Sequence, residues 1–396
     1  MNRRVVITGM GVVAPNGNGL EAYEAALRAG VSGIRHIPLL QELKFGCTVA
    51  GVPPDADALA GTYFDEDDLL AMNSNQRFGC IAAVDAWTDA GFERPEHGDD
   101  HVYWEAGAVI GTGVGGLDTA GEKLVPMTDA GRVRRMGSTI VEQIMGSGVS
   151  ARVSGMLALG NQVTSNSSAC STGAEAIVGG YERIKNGLAD RMLCGGSEGS
   201  SHYIWAGFDA MRVLARKFNH EPEKASRPLS ATAAGFIPGS GAAILHLESL
   251  ENAEQRGARI YAELLGGSLN CGGHRQGGSM TAPNQTSVRR CIREAVANAG
   301  ITPDEIDAIN GLHHAHDPLD DQAALHREVN LQIARLQDRG CPSGTDWCSA
   351  VLWRPRRRLA ARSRRYAHRL NLWDFCDLSI MQRNRCMLET GHLFSC

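Results

Sequence analysis

SNSSACSTGAEAI, residues 165–177, sets one cysteine between a polar strand end and a helix start made of small residues. A thiol in that place meets the amides and dipole of a helix N-terminus, which lower its pKa, and the same N–H groups can hold a developing oxyanion. Cys170 is therefore the candidate nucleophile. Cys47, Cys80, Cys194, Cys271 and Cys291 lack that setting and read as structural thiols.

Outward from this elbow the pattern alternates strands with helices. Upstream, Gln162 to Ser165 is strand-like, Ser138 to Met145 helical, and Ala108 to Ile110 a strand leading into GTGVGG (Gly111 to Gly116). Glycines there permit close backbone approach, which serves either a substrate channel or packing. Arg77 to Ala90 reads as an amphipathic helix stopped by Gly91, Glu21 to Arg28 as a helix ended by Gly30, and Val5 to Thr8 as a short buried strand. Downstream, a helix runs through Ile184. Strands follow at Arg191 to Cys194, Ala242 to Leu247 and Arg259 to Leu265, and a helix from Val288 to Ala299 closes at Gly300. Such alternation implies an α/β layer fold with helices on both sheet faces. ITGMGVVAPNG (Ile7 to Gly17) lacks the third glycine of a dinucleotide fingerprint and carries Pro15 at the turn, so it reads as a tight structural turn without a nucleotide.

The whole chain has 396 residues, enough for one large intertwined unit or two domains, with 43% hydrophobic and 21% charged residues. This excludes a disordered or fibrous chain. A net charge of −5 gives no global reason to expect nucleic acid or an anionic membrane. Neither a signal peptide nor a long apolar run is evident, so a cytoplasmic protein with reduced cysteines is expected. Composition changes near residue 310. All but four of the 47 glycines precede it, whereas residues 311–396 hold thirteen Arg, no Lys, five Cys and three Trp. Arg354 to Arg365 admits a phosphate-binding reading. The tail cysteines lack the close pairs of a zinc site, and no metal is expected.

With these segments assembled, the chain resembles the β-ketoacyl-acyl-carrier-protein synthases of types I and II, condensing enzymes with the thiolase fold. The resemblance rests on RRVVITGMGVVAPNG, GTGVGG, SNSSACSTGAEAI, MLCGGSEG, GFDAMRVLARKFN, EKASRPLSATAAGFIPGSGAAIL, GARIYAELLGG and MTAPN, in family order from residue 3 to about 310. It implies a thiolase-like layered αβαβα fold with the second half incomplete. Residues 1–250 would form the half carrying the nucleophile, 251–310 the start of the second half, and 311–396 a poorly ordered Arg/Cys-rich tail outside the family pattern. Carried across, Cys170 receives the acyl chain as a thioester, with its own N–H in the oxyanion hole. Val114 and Phe208 line the acyl pocket, and Arg212 contacts the acidic carrier protein. The implied partners are acyl- and malonyl-carrier protein and a second synthase subunit, as homodimer or heterodimer. No cofactor, nucleic acid or membrane is implied.

Two departures stand out. Where the family carries an ionic cluster, this chain has Ser230, Ala233, Ala234 and Ser240. More seriously, Leu312 follows Asn310-Gly311 where the first catalytic histidine belongs, and the tail has neither the Lys preceding the second nor a GFGG loop. His313 is the candidate nearest the vacated place, with His314 and His316 beside it. A reading-frame change near codon 311 accounts for the loss of every motif at one point, a divergent domain being the alternative. Impaired decarboxylative condensation is the expected activity, and a chain-length-factor-like partner subunit the alternative.

Overall fold

A computed structural model describes residues 2–96, 98–227, 230–278, 284–306 and 347–355. Its first strand, β1 (Val5–Ala14), is ten residues long and buried throughout. The sequence reading of a four-residue strand followed by a tight turn does not hold, because the strand continues through both glycines. A Cβ on Gly9 would lie 2.1 Å from the carbonyl oxygen of Ala86, and one on Gly11 2.0 Å from that of Ala82. The glycines let a helix, Ser74–Asp89, press directly onto the strand backbone.

The remaining strands are β2 (Gly17–Asn18), β3 (Ile34–His36), β4 (Val49–Gly51), β5 (Ala106–Gly111), β6 (Val163–Thr164), β7 (Arg191–Glu198), β8 (Gly241–Ser249), β9 (Ala262–Cys271) and β10 (Trp347–Pro355). One mixed sheet runs in the order β10-β9-β1-β8-β7-β5-β6, with β2 paired to the end of β1, while β3 and β4 pair apart from it. β5 is parallel to β6 and β7, and the other pairs are antiparallel.

Side chains alternate between the two sheet faces, as a pleat requires. Ala108, Ile110, Leu193, Ala242 and Ile244 join the Ser74–Asp89 helix in one core cluster. Val109, Met192, Cys194, Ala243 and Leu245 face the other way, onto the helix Thr172–Lys185. The Ser74–Asp89 helix begins three residues earlier than its sequence suggests, because Asn73 and Gln76 close a capping box. It is not amphipathic: eleven of its sixteen residues are buried, since the helix Gly148–Leu157 and neighbouring segments cover the side away from the sheet.

Of the tail, residues 347–355 form β10, paired with β9 over nine registered positions from Trp347–Cys271 to Pro355–Ala262. The rest of the tail expected to be poorly ordered, 311–346 and 356–396, lies outside the described residues. The run Ala350-Val351-Leu352-Trp353 supplies strand-forming residues where the rest of the tail is rich in Arg and His. The helix Gln285–Asn298 packs on β9 and β10. Among the described residues no helix is long and apolar enough to cross a membrane.

Candidate active site

β6 ends at Thr164, and the chain then descends through Asn166 and Ser168 to a short 3-10 turn, Ala169–Ser171, at the head of the fourteen-residue helix Thr172–Lys185. Cys170 sits in that turn, half-buried. Ala169 before it has φ +51°, a left-handed conformation costing an alanine about 1 kcal/mol. Local bonds hold the strained elbow in place. The Ser168 N–H donates to Thr172 Oγ1 at 2.9 Å, the Thr172 hydroxyl donates to the Ala169 carbonyl at 2.7 Å, and Asn166 Nδ2 donates to the Thr172 carbonyl at 2.8 Å.

The glycine-rich turn at the end of β5 abuts this elbow. Thr112 N donates to the Asn166 carbonyl at 3.2 Å, and the Ser167 hydroxyl donates to the Gly113 carbonyl at 3.3 Å. A Cβ on Gly111 would meet Thr172 Cγ2 at 2.2 Å, so glycine is required for the two segments to touch. The sequence left GTGVGG open between channel and packing, and its first glycine serves packing against the helix Thr172–Lys185. Near the thiol, Asn166 Oδ1 and Ser168 Oγ are buried without a hydrogen-bond partner among the described residues.

The other thiols differ in environment. Burial pushes Cys80 up to about 12 and Cys47 up to about 11, and raises Cys194 as well. Cys271 is exposed at the end of β9, outside any helix.

The remaining sequence candidates are less tightly gathered. Val114, 43% exposed, lies on the turn bonded to the Cys170 segment. Phe208 is half-buried in the helix His202–Ala210, edge-on to Phe236 at 5.5 Å, in an apolar cluster that also takes in Leu117, three residues past Val114. Arg212 is exposed just beyond that helix, at φ +61°. His313 lies outside the described residues. Of the exchanged ionic cluster, Ser240 is wholly buried and donates its N–H to the Gly51 carbonyl at 2.9 Å, while Ala234 packs on an apolar cluster. No grouping of three or more metal-ligating side chains occurs among the described residues.

Sequence reasoning passed over Glu198. This buried carboxylate at the end of β7 accepts the Gly113 N–H at 2.8 Å, the Thr112 hydroxyl at 2.9 Å and the Val114 N–H at 3.3 Å. Burial lifts it to about 7 against the pull of those bonds. A glutamate ending a glycine-rich strand, MLCGGSE, was the available signal.

Comparison with known proteins agrees with this arrangement. The model of the beta-ketoacyl synthase N-terminal domain matches residues 2–253, and that of the C-terminal domain matches residues 261–323, beyond the point where the quoted motifs stop. A 3-oxoacyl-[acyl-carrier-protein] synthase 2 of Rhizobium meliloti is 36% identical over 317 residues, 78% of this chain and 73% of that protein. Among solved structures, the ishigamide ketosynthase/chain length factor superposes with a TM-score of 0.71 at 32% identity, covering 82% of this chain and 78% of that one. A type II polyketide ketosynthase, solved in complex with its acyl-carrier protein, gives 0.71 at 26% identity, covering 84% and 78%. Since the N-terminal family model alone spans more than half of the sequence, and the layered sheet is shared with solved ketosynthases, the chain belongs to the beta-ketoacyl synthase family of acyl-transferring condensing enzymes, which have the thiolase-like fold.

Proposed function

We propose that Cys170 attacks an acyl thioester carried by acyl-carrier protein and holds the acyl group for decarboxylative Claisen condensation with malonyl-carrier protein. The observation that carries this reading is the strained elbow, which sets a half-buried thiol at the head of a fourteen-residue helix. Backbone N–H groups of the elbow take the oxyanion, Val114 and Phe208 line the acyl pocket, and Arg212 meets the acidic carrier protein. The carrier-protein complex of a similar ketosynthase supports that partnership. The working unit is a cytoplasmic homodimer or a heterodimer with another synthase, and no cofactor takes part.

Residues 1–250 form the nucleophile half, 251–310 open the second half, and within 311–396 the departure from the family is complete beyond residue 323, where the C-terminal match ends. The separate matches to residues 2–253 and 261–323 support the first division. Condensation is impaired in this chain. Decarboxylation needs neutral donors for the enolate oxygen, and removing one such donor costs about 3 kcal/mol. Leu312 stands in place of the first histidine and no Lys follows it, which leaves His313 as the nearest substitute.

Similarity to a ketosynthase/chain length factor favours a second reading, a non-elongating partner subunit. The nucleophilic cysteine at position 170 argues against it. Incubation with acyl-carrier protein, followed by peptide mass spectrometry, should find a thioester on Cys170 that Cys170→Ala abolishes, with no CO₂ released from malonyl-carrier protein. Absence of the thioester would favour the partner-subunit reading, and condensation at ordinary rates would overturn the impairment. An in-frame family C-terminus should restore condensation.

A further inference from the structure

Glu198 is a buried carboxylate without a cation beside it among the described residues. Among the described residues its two oxygens receive only the Thr112 hydroxyl and the N–H groups of Gly113 and Val114, and no ionised side chain contributes to its environment. A carboxylate buried only for stability is ordinarily paired with Arg or Lys, as Glu248 is with Arg256 in this same sheet. The titratable groups on surrounding elements are engaged elsewhere. In the Ser74–Asp89 helix, Arg77 pairs with Asp57. On β8, His246 bonds Thr8 and Glu248 pairs with Arg256. Asp118, just past the turn, accepts from Asn73 and Ser74. At the head of the Thr172–Lys185 helix stand Cys170 itself and, one turn in, Glu175.

The turn that Glu198 holds is strung between two anchors. On one side, Oε1 and Oε2 take the three donors of residues 112–114, and the Thr112 hydroxyl in turn accepts the Gly115 N–H at 3.1 Å. A Cβ on Gly113 would come within 2.8 Å of Glu198 Oε2, so glycine is what lets the carboxylate reach the backbone. On the other side, the same turn bonds Asn166 and Ser167, which lead directly into Cys170. Sheet order explains the convergence: Gly111 of β5 is in register with Gly196 of β7, so the turn leaving one strand passes the glutamate ending the other.

We propose that Glu198 is a positioning residue whose anion sets the 112–115 turn, and with it Val114, against the Cys170 segment so that a long acyl chain is admitted. The acyl part rests on the pocket role given to Val114 under Proposed function. The anion accepts all three donors at full strength, whereas protonation makes one oxygen an O–H donor with reduced acceptor capacity and weakens its bond to the N–H or hydroxyl it faces. Protonation therefore loosens the turn, and burial has placed that event near neutrality.

The test uses the full chain and two independent measurements. Amide exchange of peptides spanning residues 108–117, corrected for intrinsic rate, is compared between about pH 6 and about pH 8 in wild type and Glu198→Gln. Wild-type protection at Gly113 and Val114 should fall about tenfold toward the acid side, while the variant should be weakly protected at both. In parallel, Cys170 is modified with iodoacetamide and with hexanoyl and hexadecanoyl thioesters of N-acetylcysteamine. Glu198→Gln should slow the hexadecanoyl reaction at about pH 8 by about tenfold, slow the hexanoyl reaction less, and leave iodoacetamide labelling within about twofold. Flat wild-type protection across the pH range overturns the proposal, and that arm needs no variant to fold. Equal slowing of all three reagents overturns the positioning role, since it marks a general loss of structure. If wild-type Cys170 takes neither acyl group, the acyl reading itself fails, and the exchange arm alone then judges the hold of Glu198 on the turn.

Discussion

His246 is wholly buried, with Trp87 at 5.7 Å and Phe92 at 5.5 Å from its ring. Its Nδ1 lies 2.7 Å from the Thr8 hydroxyl, and Nε2 has no partner among the described residues. Burial first, then the charges of Arg191 and Arg256, hold its pKa well below the usual 6.5, even though Glu248 balances Arg256 nearby. The folded chain thus keeps His246 neutral while the unfolded chain protonates it below about 6.5, so stability is lost as pH falls through that value. The loss is about 1.4 kcal/mol per pH unit until the folded pKa is reached. Thermal melts at about pH 7.5 and about pH 5.5 should show a larger acid drop for wild type than for His246→Phe, and equal drops would refute the assignment. Residues of this kind separate what a sequence discloses from what it conceals. Cys170 is legible because its neighbours in the chain make its environment. Glu198 and His246 are not, because theirs comes from strands more than eighty residues away.

At the scale of elements, strand and helix cores were legible and their extents were not. The sequence signal for β7 ends at Cys194, since Gly195-Gly196-Ser197 has low strand propensity, yet the strand runs on to Glu198, held by β5 as far as Gly196 and by β8 to its end. β1 shows the same override more sharply: Gly9 and Gly11 look like turn residues, and their role is to admit a helix. Gly11→Val should therefore be severely destabilising, since its Cβ would sit 2.0 Å from the Ala82 carbonyl. A loss of about 3 kcal/mol or more is expected, read by urea denaturation. Gly19→Val makes a useful comparison. A Cβ there meets nothing within 4 Å, so the cost should come only from its φ of +79° and be smaller. Similar losses at both positions would refute the helix contact as the reason for glycine at position 11.

For the whole molecule, the question is what closes the sheet beyond β9. β1 covers only Ala262 to Leu264 of that strand, whereas β10 pairs along it from Ala262 to Cys271. Without β10, the edge of β9 that faces away from β1 would lie open from Ala262 to Cys271, a template for pairing with other chains. The helix Gln285–Asn298 would also lose one of the two strands it packs on. A chain ending at residue 310 is therefore expected to aggregate and melt below the full-length protein, while one ending at residue 355 should match it. Light scattering and thermal melting of the three chains decide this. If the 310 and 355 chains behave alike, β10 adds nothing to the fold and the departure from family pattern costs no structure. If only the 355 chain matches full length, the structural consequence of the altered tail narrows to the interval before Trp347. In that case the impairment proposed for condensation would rest on the histidines and not on a missing sheet edge, and Cys170 should still accept an acyl group in the 355 chain.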